Sequence, residues 1–88
     1  MKTILFYWSK GADTRVRMVR LIAASEKSGG ACYLNTLAKK LRFTHVAIKK
    51  HLDLLIEEGY VKILNPGGKP HYLLLTAEGK KIVKEFSS

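Results

Sequence analysis

From Asp13 to about Lys27, the apolar residues Val16, Val19, Ile22 and Ala23 recur at helical spacing with polar residues between them. That period predicts a helix with one buried face. Asp13 or Thr14 is available as its N-cap, Arg15, Arg17 and Arg20 fall along it, and Ser28-Gly29-Gly30 ends it. In "ACYLNTLAKKL", Leu34, Leu37, Ala38 and Leu41 occupy positions i, i+3, i+4 and i+7 of one face, so a short second helix follows, with Asn35 as candidate cap. After a break at Arg42-Phe43, Thr44 can cap a third helix whose apolar face is Ile48, Leu52, Leu55 and Ile56, stopped by Gly59.

The period then changes. "YVKIL" and "HYLLL" are β-prone runs flanking "NPGGKP", which predicts a hairpin with its tip at Asn65 to Pro70. "TAEGKKIVKEF" closes the chain as a last helix, with Thr76 as cap, Glu78 in the first turn, and Ile82, Val83 and Phe86 as its apolar stripe. The run Ile4 to Trp8 is too short for a signal-peptide core or a bilayer span, so it must be buried by packing. It either packs on its own domain or forms a dimerising arm.

Composition adds a partner class. The 88 residues carry 16 Lys and Arg against 7 Asp and Glu, a formal net charge of +9, which attracts polyanions such as nucleic acid. One domain fits this length, an apolar arm over residues 1–10 and a core over 12–86. A chain this small buries only roughly 60% of its unfolded surface, which makes self-association plausible. The single Cys32 excludes an intrachain disulfide and paired-cysteine zinc sites, and fits a cytoplasmic setting. The absence of glutamine and the two asparagines resemble a heat-adapted, archaeal composition.

Helix, helix, tight turn, helix, hairpin and helix is the order of a winged helix-turn-helix, an α+β fold that is mainly α. "LAKKLRFTHVAIKKHLDLLIEEGYV" (Leu37 to Val61) and "LTAEGKKIV" (Leu75 to Val83) resemble small archaeal and bacterial transcriptional regulators of the MarR and ArsR type, over about residues 12–86. The chain departs from them at Arg42, where the turn usually has glycine, and at Leu54 and Ile56, where such families commonly have polar residues.

The resemblance implies sequence-specific binding of double-stranded DNA, with the third helix in the major groove. His45, Lys49 and Lys50 are then the donors to bases or phosphates, Thr44 caps the helix beside a phosphate, and Val46 or Ala47 can meet a thymine methyl. Lys39, Lys40 and Arg42 would contact phosphates, and the wing, through Lys62, Lys69 and His71, would lie on the adjacent minor groove or backbone. A homodimer is expected through Ile4, Phe6, Tyr7 and Trp8 of the arm and Ile82, Val83 and Phe86 of the last helix. A two-fold dimer places two reading helices roughly 34 Å apart on a symmetric site.

Other chemistries find little support. His45 and His51 are six residues apart, about 600° around a helix, so they do not share a face as metal ligands would. No metal or cofactor is expected and no small-molecule effector can be identified; no nucleophile with a spaced base, no phosphate loop before a helix and no paired acids outside Glu57-Glu58 suggest an enzyme, and no membrane partner is expected. The rival reading is a protein-interaction module of a larger assembly, with Leu54, Ile56 and the N-terminal aromatics as its surface.

Overall fold

The computed structural model describes residues 5–7, 10–30, 32–65, 67 and 72–86. Ile4, Trp8, Lys69 and His71, named above as site residues, lie outside the described residues. Helices α1 (Ala12–Lys27), α2 (Leu34–Leu41) and α3 (His45–Glu57) precede strands β1 (Val61–Ile63) and β2 (Leu73–Leu75), and α4 (Ala77–Glu85) follows. The strands pair antiparallel, Val61 opposite Leu75 and Ile63 opposite Leu73. α2 packs on α3, while α1 packs on α4 and β2. One core runs through all of them, with Met18, Val19, Ile22, Leu37, Ile48 and Leu55 fully buried.

Three helices end in the same way. At the end of α3, Tyr60 N–H donates to the Leu55 carbonyl (2.8 Å) and Gly59 N–H to Ile56 (3.1 Å). This is a Schellman closure, with buried Leu55 and Tyr60 as its hydrophobic pair. α1 ends likewise, through Gly30 N–H to Ser25 (3.0 Å) and Gly29 N–H to Glu26 (3.2 Å). In α2 the Phe43 N–H reaches back to Ala38 (3.0 Å). The left-handed residue is Gly29 or Gly59 in two of these turns and Arg42 (φ 60°) in the third.

The starts differ in part from expectation. Thr44 Oγ1 accepts from Ala47 N–H (3.2 Å) and Thr76 Oγ1 from Gly79 N–H (3.1 Å), so both predicted caps act as such. The N-cap of α1 is Gly11 rather than Asp13 or Thr14, both of which lie inside the helix, and Asn35 lies inside α2, whose N-cap is Tyr33.

β1 begins one residue into its run, where Tyr60 N–H is committed to the helix closure, and the pairing extends past both strands through Leu64 N–H to the Tyr72 carbonyl (2.9 Å) and Thr76 N–H to the Tyr60 carbonyl (3.1 Å). The free edge of β2 is covered from the helical side: Leu73 N–H donates to the Cys32 carbonyl (2.9 Å) and Leu75 N–H to the Glu26 carboxylate (3.0 Å). Covering an edge in this way removes a site for stray strand pairing. At Gly79 a side chain would run into the Tyr60 carbonyl, so this glycine lets α4 lie against the base of the hairpin.

Arg15 is the buried exception to the apolar pattern, 5% exposed. Its guanidinium donates to the Leu5 carbonyl (2.7 Å), the Lys10 carbonyl (3.1 Å) and Nδ1 of His51 (3.0 Å). One side chain therefore ties the N-terminal segment and α1 to α3. Arginine can only donate, so Nδ1 accepts and the proton of the neutral His51 ring sits on Nε2.

Burial first, then the charges of Arg15 and Lys50, lower the His51 pKa from 6.5. A base held below its unfolded pKa contributes stability that is complete above 6.5 and is lost as pH falls through the lower folded value. The urea midpoint should accordingly be lower at about pH 5 than at about pH 7.5, and His51→Gln should flatten this dependence, as followed by circular dichroism. An equal pH dependence in both proteins would exclude His51 as its source.

Candidate nucleic-acid interface

The crossing of α2 on α3 sets what α3 presents. Leu37, Ala38 and Leu41 of α2 and Ile48, Leu52 and Leu55 of α3 are all buried. With that face inward, the helical period turns Val46, Lys49, Lys50 and Asp53 outward. Thr44, His45, Lys49 and Lys50 are exposed, Ala47 is half-buried, and Val46 is 77% exposed at the leading turn. A β-branched apolar residue so placed has no packing role within the chain.

The charged residues fall into distinct settings. Lys49 Nζ sits 2.8 Å from Asp53 Oδ2, a pair whose side chains are both mostly exposed. Such i,i+4 pairs contribute only about 0.3–0.5 kcal/mol, so Lys49 can exchange its carboxylate for a phosphate at small cost. Lys50 points around the helix into a hollow with Ala47, His51, Asp53, Leu54 and Glu57. Arg15 lines the same hollow, and Lys50, like Lys49, is exposed.

His45 Nε2–H donates to Asn35 Oδ1, joining the first turns of α3 and α2. These two residues, with Thr36, Ala38, Lys39 and Phe43, line one groove. Lys40 turns the other way, into a cleft between α1 and α2. The adjacent lysines of α2, grouped by the sequence as one phosphate-contacting set, are thus divided between two flanks of the helix.

Arg42, exposed at the turn, carries the conformational cost of a left-handed non-glycine residue, about 1 kcal/mol or somewhat more. Its position between α2 and the reading end of α3 places a cation where the strain is borne. On the wing, Lys62 is exposed and paired across the ladder with Leu74. The stem is aromatic: the Tyr33 and Tyr72 rings lie 5.0 Å apart, and a side-chain hydrogen bond with Tyr72 raises the Tyr33 pKa.

The expected dimer residues are divided too. Phe6, 3% exposed, meets Tyr60 edge-on (4.9 Å between ring centroids), and Ile82 is 5% exposed. Both are buried in the core of their own chain. Tyr7, Val83 and Phe86 remain half-buried, with the Tyr7 ring 5.3 Å from that of Phe86. Leu5 to Tyr7 thus packs on its own domain, the first of the two readings of that run.

Among the described residues no three His, Cys, Asp or Glu side chains gather as metal ligands, and no helix is long and apolar enough to cross a membrane. Cys32 is buried, and burial raises its thiol pKa, which suits packing rather than reactivity.

No protein-family model matches the sequence, and no curated protein matches it. Solved structures do match the fold. A DNA complex of MepR from S. aureus superimposes with a TM-score of 0.76 at 19% identity, covering 99% of this chain and 62% of that one. The chain shares the winged-helix fold of these repressor structures. AF1382 from Archaeoglobus fulgidus gives 0.75 at 18% identity, covering 97% of this chain and 88% of its own. The multiple antibiotic-resistance repressor (MarR) from Listeria monocytogenes gives 0.71 at 24% identity, covering 81% of this chain. The chain spans 46% of the Listeria repressor and 60% of a MepR mutant.

Two residues of this interface were hidden from sequence reasoning. Asn35 read as a cap because asparagine favours caps, and its contact with His45 depends on the helix crossing. Arg15 gave a signal that went unused: it precedes Met18 and Ile22 by three and seven positions, on the buried face.

Replacing Arg42 with glycine separates its two effects. Arg42→Gly should raise the unfolding free energy by about 1 kcal/mol in urea denaturation, by relieving the left-handed strain. An unchanged or lower stability would mean that Arg42 makes compensating contacts.

Proposed function

We propose that this chain is a sequence-specific double-stranded DNA-binding protein that regulates transcription. The leading turn of α3 enters the major groove, and the hairpin lies along the adjacent minor groove or backbone. The observation that carries the reading is the exposed edge from Arg42 to Lys50, held rigidly by the crossing of α2 and α3. Of the fold neighbours, MepR was crystallised with DNA, which supports DNA binding.

On this reading Val46 meets a thymine methyl, with Ala47 behind it. His45, Lys49 and Lys50 donate to base edges or phosphates. Thr44, Lys39 and Arg42 hold phosphates and fix the register, as do Lys62, Lys69 and His71 on the wing. The chain acts as a homodimer, with Tyr7, Val83 and Phe86 at the margin of the contact and two α3 helices about 34 Å apart on a two-fold-symmetric site. Leu54 and Ile56, the basis of the protein-interaction alternative, pack against the core of their own chain, which favours the DNA reading.

Titration of a labelled duplex at several salt concentrations tests the proposal. A protein contacting about 6 to 10 phosphates loses roughly a thousandfold or more in affinity between 50 and 200 mM salt. Lys49→Ala/Lys50→Ala should weaken binding at least about tenfold and lower the salt slope by about 2. Salt-insensitive binding, or equal affinity in the double variant, would overturn it.

A further inference from the structure

We propose that the cleft between α1 and α2 holds backbone phosphates of the DNA flanking the groove read by α3, so that the duplex is drawn around α2. The cleft is lined by Arg17 and Arg20 from α1, Lys40 from α2, and Leu21 and Leu41 as its floor. This rests on the DNA-binding reading above and extends it to a surface that neither the recognition helix nor the wing supplies.

The placement of the cations argues for an anionic occupant. Arg17 and Arg20 are three residues apart and so share one face of α1, where like charges disfavour each other slightly. Lys40 adds a third positive charge from across the cleft. Among the described residues none of the three makes an ion pair, although Asp13 lies one turn before Arg17. Lys39, Lys40 and Arg42 have a simpler explanation available, since cations near the end of α2 complement its helix dipole. That explanation does not extend to Arg17 and Arg20, which sit in the middle of α1 on its exposed side.

The chemistry of the cleft suits a phosphodiester occupant. Guanidinium is planar and always charged, and it pairs with phosphate through two parallel hydrogen bonds, while lysine serves as a point charge beside it. The positions of the adjacent lysines favour phosphates of the same duplex. Lys39 borders the groove that includes His45 and Asn35, and the next residue, Lys40, borders the α1 cleft. Consecutive lysines thus carry positive charge on both flanks of α2, between the reading end of α3 and Arg17 and Arg20. DNA leaving the major-groove contact would reach the cleft by bending toward α2, a deformation repaid by the extra phosphate contacts.

The test compares two duplexes, one just covering the recognition site and one extended by about 10 base pairs on each side, one further helical turn. The full chain should bind the longer duplex more tightly. Arg17→Gln/Arg20→Gln, whose replacements favour helix and lie on an exposed face, should lose that advantage, roughly tenfold at about 150 mM salt. Its salt slope on the longer duplex should fall by about 2, with affinity for the short duplex and base preference unchanged. Circular dichroism establishes that the variant is folded.

Equal binding of the longer duplex by both proteins would overturn the inference while leaving the DNA-binding reading intact. So would an equal loss on both lengths, or a loss confined to capture of a second, separate duplex. If the unaltered chain shows no salt-dependent duplex binding, both readings fall together.

Discussion

Everything the molecule can present to a partner depends on the dry crossing of α2 over α3. Leu37, Ala38 and Leu41 close against a core shared with Ile48, Leu52 and Leu55, and all six are buried. A buried apolar interface at crystal-like density has few alternative arrangements, so the rotation of α3 about its axis is fixed. That rotation is why Val46 and Lys49 face outward while Ile48 between them does not. A looser crossing would leave the same cations on a helix with no defined reading angle.

Electrostatics then works on this frame by division rather than by accumulation. Lys49 is held by Asp53 in a weak, exposed pair, Lys50 lies near Asp53 and Glu57, Lys39 borders the His45 groove, and Lys40 joins Arg17 and Arg20 across the helix. The net charge of +9 is thus spread over several separate contact sites, each with its own reach. Arg42 is the point where charge and backbone conflict: the turn uses an arginine where the two parallel turns use glycine. Strain of this kind persists where something else is gained, and in this fold the gain is a cation at the helix-turn-helix corner.

Much of the fold was legible because its signals are local. Thr44 and Thr76 cap the helices they were expected to cap, the stop at Gly59 follows from its left-handed backbone, and the change of period after Tyr60 marks the hairpin. The candidate interface was legible only in part, since residue type and helical phase say which side chains face out but not what they face. The separation of Lys39 from Lys40, the contact of Asn35 with His45, and the cleft formed by Arg17 and Arg20 all arise between helices that the sequence lists apart. The burial of Phe6 and Ile82 within their own chain was hidden for a related reason. Apolar stripes at chain ends look alike whether they meet a partner or their own core, and here the chain is small enough to use both residues for itself.

The most direct test of the account maps where a duplex touches the folded chain, by following backbone amide shifts in a nuclear magnetic resonance titration. Changes concentrated in the last turn of α2, the first turns of α3 and at Arg42, with the interior of α4 left undisturbed, are the predicted result. Shifts centred on α4, or spread evenly over the surface with no emphasis on α3, would contradict a fixed reading helix.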